Sequence, residues 1–391
     1  MKRIYVLADL QGVRADLLPI TYTRVVGDIL VGIDSIADKW SRHVDGEWYV
    51  EPEADYLAEL YADRLAPEDG DRTMVAANVL PDATLAAAVE ALLPGEQIVD
   101  SAGLVVARRI SASGPAVAVE YPHPVRRISQ LYDIFLLNGD AIRADFASYA
   151  HGEQQTPSDT NTVIGDAGQL YIAPDATVEG AVINVKTGPV YIGPGAEVME
   201  GALLRGPIAI CAHATVNMGT RIYPDTTIGR WCKVGGELNN VVMLGYSNKA
   251  HDGFLGNAVI GAWCNIGAGA TASNLKNDYT PIRLWNYPTG RFLRTGLQFC
   301  GLIMGDHSKA GINTMFNTAT VLGVGVNIHG SGFPRNFVPS FSEGSTAGYT
   351  EVSMSKFCGI AERMMARRGL PFTEAHARMF EAIRHAAEEY K

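Results

Sequence analysis

His251 interrupts an apolar stretch beside Gly253 and Gly256, positions where a ligand can approach the backbone closely. An imidazole, with a free pKa near 6.5, is the natural residue type for general acid–base work. Asparagine amides or backbone N–H groups are the donors that an acyl-transfer reaction would need for its oxyanion. Asn265 and Asn274 lie downstream of the histidine. Near the N terminus, Leu7-Ala8-Asp9-Leu10-Gln11-Gly12-Val13-Arg14 runs on to Leu18-Pro19-Ile20-Thr21-Tyr22-Thr23-Arg24. A strand followed by a glycine-bearing loop and arginines is a way of meeting phosphate, although a single glycine makes a weak backbone cradle. Asn138 stands where it could cap a helix beginning near Ala141.

The elements that must hold these residues are set by a repeat. Ile192, Val198, Leu204, Ile210, Val216, Ile222, Ile228 and Val234 stand six apart. That period fits neither a helix nor a single flat strand, but it suits a solenoid whose coil is a triangle of three short strands. Four positions after each anchor a mostly small residue follows (Ala196, Ala202, Ile208, Ala214, Thr220, Thr226, Cys232), and small side chains there fit tight corners. The unit recurs at Ile172 and Val178, at Phe254, Ile260 and Ile266, and from Met304 through Ala310, Phe316 and Leu322 to Ile328. Stacked coils leave only the ends uncovered, so both ends need caps.

Around the repeat, Ile4-Tyr5-Val6-Leu7 and Thr73-Met74-Val75-Ala76-Ala77 predict buried strands, and 82–93 and 141–149 predict helices. This gives an α/β domain over 1–150, a polar linker over 151–165, the solenoid over 166–345 with a protruding hairpin near 277–298, and C-terminal helices over 346–391 that close the stack. The 391 residues carry 32 Lys plus Arg against 42 Asp plus Glu, a net charge of −10, which argues against a nucleic-acid partner. No run reaches the roughly 18 apolar residues of a membrane helix, and the start carries no cleavable apolar segment, so a cytoplasmic location with no membrane partner is expected. Five dispersed cysteines predict buried thiols rather than disulfides or a zinc knuckle.

The six-residue unit resembles the hexapeptide pattern of left-handed parallel β-helices, most of whose enzymes are acyltransferases. Within it, Asn248-Lys249-Ala250-His251 and the later Leu255-Gly256-Asn257-Ala258-Val259-Ile260-Gly261 and Asn265-Ile266-Gly267-Ala268-Gly269 resemble the acetyltransferase signature of the GlmU family. Its members are bifunctional glucosamine-1-phosphate acetyltransferases and N-acetylglucosamine-1-phosphate uridyltransferases. The resemblance implies His251 as catalytic base, Asn274 near the acetyl group, Asn265 and Glu237 on the sugar phosphate, and Ala268 at the thioester. Arg335 would meet the phosphates of acetyl-CoA, unless it is simply solvated. It also implies a homotrimer with coenzyme lying between subunits. Three changes remove polar contacts of the family pattern: Asn239-Asn240 near its lysine, Phe254 for its tyrosine, and Ile312 near its serine. A trimeric solenoid can also hold zinc between subunits through three histidines, but His213 and His329 form no His-x-x-x-x-His pair.

The opening and the run Asp133-Ile134-Phe135-Leu136-Leu137-Asn138-Gly139-Asp140-Ala141-Ile142-Arg143-Ala144-Asp145-Phe146 resemble a branch of GlmU-like sugar nucleotidyltransferases with a reduced first domain. By that likeness Arg14 and Arg24 would bind substrate, and Asn138 would hold Mg²⁺, with Asp82 or Asp140 assisting. The expected partners are a sugar phosphate and a nucleoside triphosphate or sugar nucleotide. The expected protein is a transferase of sugar-nucleotide biosynthesis that acetylates an amino-sugar 1-phosphate. The competing expectation is a catalytically silent, ligand-sensing first domain on a structural trimeric scaffold.

Overall fold

The structure is a computed structural model that describes residues 3–67, 71–111 and 115–391. The predicted strands Ile4–Ala8 and Arg72–Ala76 lie side by side in the middle of a six-stranded mixed sheet, flanked by Glu47–Val50 on one side and by Val105–Arg109, Glu96–Val99 and Val117–Glu120 on the other. Helices Ile36–His43 and Ala83–Ala91 start where Ser35 and Asp82 accept the backbone N–H groups of Asp38 and Leu85. The helix expected from 141 begins earlier, spanning Asn138–Tyr149.

The six-residue period does build a parallel β-helix. Its three faces repeat in register, as in Val190↔Ile208, Glu197↔Thr215 and Leu203↔Arg221. All eight anchors from Ile192 to Val234 are buried inside the prism, and so are the small corner residues. After Val234 the coil shortens. The inward positions become Leu238, Met243, Lys249 and Leu255, so Phe254 faces outward rather than in.

The first face, the stack that contains Val190–Ile192 and Ile303–Met304, is buried on both sides. Val242, Val259, Ile303 and Val321 point away from the prism into a core shared with the N-terminal domain, the hairpin and the C-terminal helices. Strands covered on both sides read as continuous apolar runs, which explains Val241-Val242-Met243-Leu244 and Leu302-Ile303-Met304. The second and third faces alternate exposed and buried residues, as in Lys233-Val234 and Arg221-Ile222.

Three expectations about the periphery are corrected. The linker segment 151–161 is the first cap: Gln155 donates its amide to the carbonyls of Ala173 and Ala176, and the solenoid already starts with the strand Thr162–Ile164. The hairpin of Arg283–Asn286 and Arg291–Arg294 does not protrude freely. Trp285 stacks on Phe337 at 4.0 Å, Tyr287 is buried against Tyr22 and Tyr390, and Asn286 donates to Asp16. The helices Met354–Ala366 and Glu374–Ala386 run along the side of the stack, where Phe357 packs on Phe341 and Arg368 donates to the carbonyl of Trp231. The last second-face strand is closed instead by the antiparallel pairing of Ser342–Ser345 with Gly348–Glu351.

Candidate functional site

His251 sits on the turn between the second and third faces, exposed to solvent. The turn is held from three directions. Asn217 donates to the Ala250 carbonyl at 2.8 Å, Gly269 N–H donates to the Asp252 carbonyl at 2.9 Å, and the Lys249 ammonium donates to the His251 carbonyl. Gly253 has φ of 127°, and a Cβ there would collide with the Ala270 carbonyl oxygen, so only glycine fits.

Beyond the turn the third face presents an outward column in ladder register: Arg221, Glu237, then Phe254. Arg221 pairs with Glu237 at 3.5 Å, both partly exposed, which sets a cation and a carboxylate on the face that follows His251. Arg221 was missed from sequence. Its outward place one coil before Glu237 is the signal that could have revealed it.

Asn274 lies at the far corner of the same face. Its amide nitrogen donates to Asn257 Oδ1 at 2.8 Å, and Gly256 makes room, since a Cβ there would stand 2.5 Å from Asn274 Nδ2. Asn257 follows His251 by six residues; at roughly 3.3 Å per residue of strand, His251 and Asn274 stand about 15–20 Å apart within one chain. Asn265 is exposed on the second face, beside Asn248 and Lys309 in register. Ala268 is at the His251 corner one coil later, its carbonyl accepting from Asn313 N–H at 2.8 Å. Ile312, 71% exposed, occupies the next coil of that corner, and Met218, also 71% exposed, stands on the other side of His251. Arg335 is exposed in the last coil, 5.9 Å from the Tyr349 ring.

In the N-terminal domain the residues expected to bind nucleotide are engaged within the protein. Asp9 accepts the backbone N–H groups of Val13 and Arg14 at 2.9 and 2.8 Å, so a carboxylate already occupies the loop a phosphate would need. Arg14 donates to the Tyr56 hydroxyl. Arg24 reaches across to the solenoid and pairs with Asp306, which also accepts from Thr23 Oγ1 and from Ala262 N–H. Asn138 is fully buried. Its Oδ1 accepts from Gly32 N–H and Thr227 Oγ1, and its Nδ2 donates to the Asp225 carbonyl. It therefore joins the two domains and offers no atom to Mg²⁺, and it does not cap the helix either. Asp82 caps Ala83–Ala91, and Asp140 pairs with Arg143 on the surface, so this set does not fit a magnesium site. Among the described residues no cluster of three His, Cys, Asp or Glu could hold a metal, and no helix is long and apolar enough to cross a membrane. The five cysteines are free thiols.

Residues 5–154 match the family model of sugar nucleotidyl transferases. That segment is similar to sugar nucleotidyl transferases, and the chain is similar in part to GlmU proteins. Relatives include the bifunctional protein GlmU of Stenotrophomonas maltophilia, 30% identical over 149 residues that cover 34% of this chain and 32% of that protein. GlmU of Gloeobacter violaceus is 29% identical over 111 residues, 28% of this chain and 23% of that protein. GlmU of a Nostoc species is 26% identical over 184 residues, 44% and 36% of the two chains. The match thus spans about a third or less of these relatives. Similar solved structures include a mutant of AntD, an N-acyltransferase from Bacillus cereus in complex with dTDP and coenzyme A. It is 12% identical, covers 53% of this chain and 91% of its own, and has a TM-score of 0.22. The UDP-N-acetylglucosamine acyltransferase of Francisella novicida is 13% identical, with 59% and 79% covered and a TM-score of 0.22.

Proposed function

We propose that this GlmU-like transferase acetylates an amino-sugar 1-phosphate with acetyl-CoA, at clefts between copies of a homotrimer. The observation that carries the reading is His251 itself, held outward by a fixed turn beside the Arg221–Glu237 pair rather than packed inside a coil. Arg221 suits the acceptor's phosphate and Glu237 its hydroxyl groups. The amine attacks the thioester carbonyl carbon while His251 takes its proton. The backbone N–H of Ala268 and the amide of Asn274 stabilise the oxyanion. Collapse of that intermediate breaks the C–S bond, and the imidazolium returns the proton to the departing thiolate.

The separation of His251 from Asn274 supports the trimer. Both can serve one acetyl group only if Asn274 comes from a second copy. The first face is already covered by the chain's own domains, which leaves the His251 corner, flanked by exposed Met218 and Ile312, as the surface for another copy. Asn265 and Arg335 complete the proposed contacts to sugar phosphate and coenzyme. A specific observation favours a non-catalytic first domain: the Asp9 carboxylate fills the phosphate loop. In this reading that domain seals the first face and binds ligand rather than transferring nucleotide. A reaction with UTP or dTTP, sugar 1-phosphate and Mg²⁺ then releases no pyrophosphate, and turnover would restore the nucleotidyl half.

The acyl-transfer test is thiol release from acetyl-CoA with glucosamine 1-phosphate. His251→Ala should lower kcat by about 100-fold or more. Equal rates in the two proteins would remove the proposal.

A further inference from the structure

A cavity of about 880 Å³ lies away from the His251 corner, where the N-terminal domain, the corner between the first and second faces, and the C-terminal helices meet. Its size is that of a small-molecule site, and junctions between domains are where such sites form. The corner supplies an unusual wall. Tyr246, Trp263 and His307 all hold left-handed backbone, φ 55°, 63° and 58°, and their rings stack at 4.3 and 6.0 Å. Arg230 closes the stack with its guanidinium 5.4 Å from the Tyr246 ring centre.

Three polar features of the lining are available to a ligand, two of them exposed and one buried. Arg230 makes no ion pair among the described residues, whereas two other lining arginines do, Arg24 with Asp306 and Arg64 with Asp28. Asp38, on the N-terminal wall, accepts from the Ser35 hydroxyl and makes no direct ion pair among the described residues, although its charge reaches Arg64 across the cavity. His307 is only 4% exposed, and its Nδ1 has no hydrogen-bond partner. Burial between Trp263, Phe357 and Phe380 holds that imidazole well below its usual pKa, so it is a neutral group that can exchange a hydrogen bond with a ligand. A buried polar atom without a partner is costly unless something completes it.

We propose that this cavity is a second ligand site, for a phosphorylated sugar either free or carried on a nucleotide. The phosphate meets Arg230, sugar hydroxyls donate to Asp38, and a further hydroxyl completes His307. The assignment is independent of acyl transfer at His251, which lies at a different corner of the prism.

The test is titration calorimetry on the full chain with four probes: glucose 1-phosphate, N-acetylglucosamine 1-phosphate, UDP-N-acetylglucosamine and UDP alone. At least one sugar-bearing probe should bind, and Arg230→Ala and Asp38→Asn should each weaken it at least tenfold. Both residues are exposed, so their melting temperatures should stay near that of the parent. His251→Ala should bind as the parent does. Binding of the two sugar phosphates identifies a free sugar phosphate as the ligand, and binding of the UDP-sugar alone identifies the carried form. The proposal is overturned if no sugar-bearing probe binds at millimolar concentration, if neither wall variant weakens binding, if UDP alone binds as tightly as its sugar conjugate, or if His251→Ala abolishes binding.

Discussion

Lys249 fills the inward slot that Val216 and Val234 fill in the coils before it and Ile266 and Ile328 in those after it. It is 1% exposed and donates to the carbonyls of Gly235 and His251. Burial pulls its ammonium down to about 8 from 10.5. The unfolded chain therefore binds more protons than the native one between those values, so stability rises with pH across that window, and the full cost is present below pH 8. Lys249→Met should raise stability at pH 7 by about 2–3 kcal/mol, with the advantage shrinking toward pH 10 in paired denaturant melts. It should also lower kcat for acyl transfer, because the carbonyl tether on the His251 turn is gone. A variant less stable than the parent at both pH values would refute this. Sequence reading singled out His251 because its signal is local, an imidazole among glycines on a turn. The structural partners of Asn138 and Arg24 could not be read the same way, because Gly32, Thr227 and Asp306 lie on elements that only the tertiary fold brings near.

At the scale of the coil, tight corners depend on glycines that differ in what surrounds them. Gly219 holds φ of 70° and an added methyl group there would meet nothing within 4 Å, whereas Gly253 faces the Ala270 carbonyl. Gly219→Ala should cost about 1 kcal/mol, the price of left-handed backbone alone, and Gly253→Ala at least about 2 kcal/mol because backbone must also move. Chemical denaturation separates the two, and equal losses would show that the corner relaxes freely. The six-residue period was legible because each anchor sees the same interior. The shortened coil after Val234 was not, since Leu238 and Leu255 replace the expected phase only when the stack is seen to stay in register. The hairpin's turn was readable from Pro288-Thr289-Gly290, yet its docking through Trp285 and Tyr287 depends on surfaces far away along the chain, such as Tyr22 and Phe337.

Across the whole molecule, one face of the prism is committed to the chain's own domains and the opposite corner carries His251. A site divided between copies has a consequence that no single-chain site shares. In the proposed homotrimer, His251→Ala and Asn274→Ala should each, alone, lose acyl transfer. Mixed by co-expression and purified through two tags, they should regain part of the parental rate. The cleft that takes His251 from the Asn274→Ala chain takes its asparagine from the His251→Ala chain, and is intact. Every trimer that carries both tags has one such cleft in three, so recovery to about a third of the parental rate is expected, against the 100-fold or greater loss of a base-deficient site. Mixed trimers no more active than the separate variants would overturn the site divided between copies.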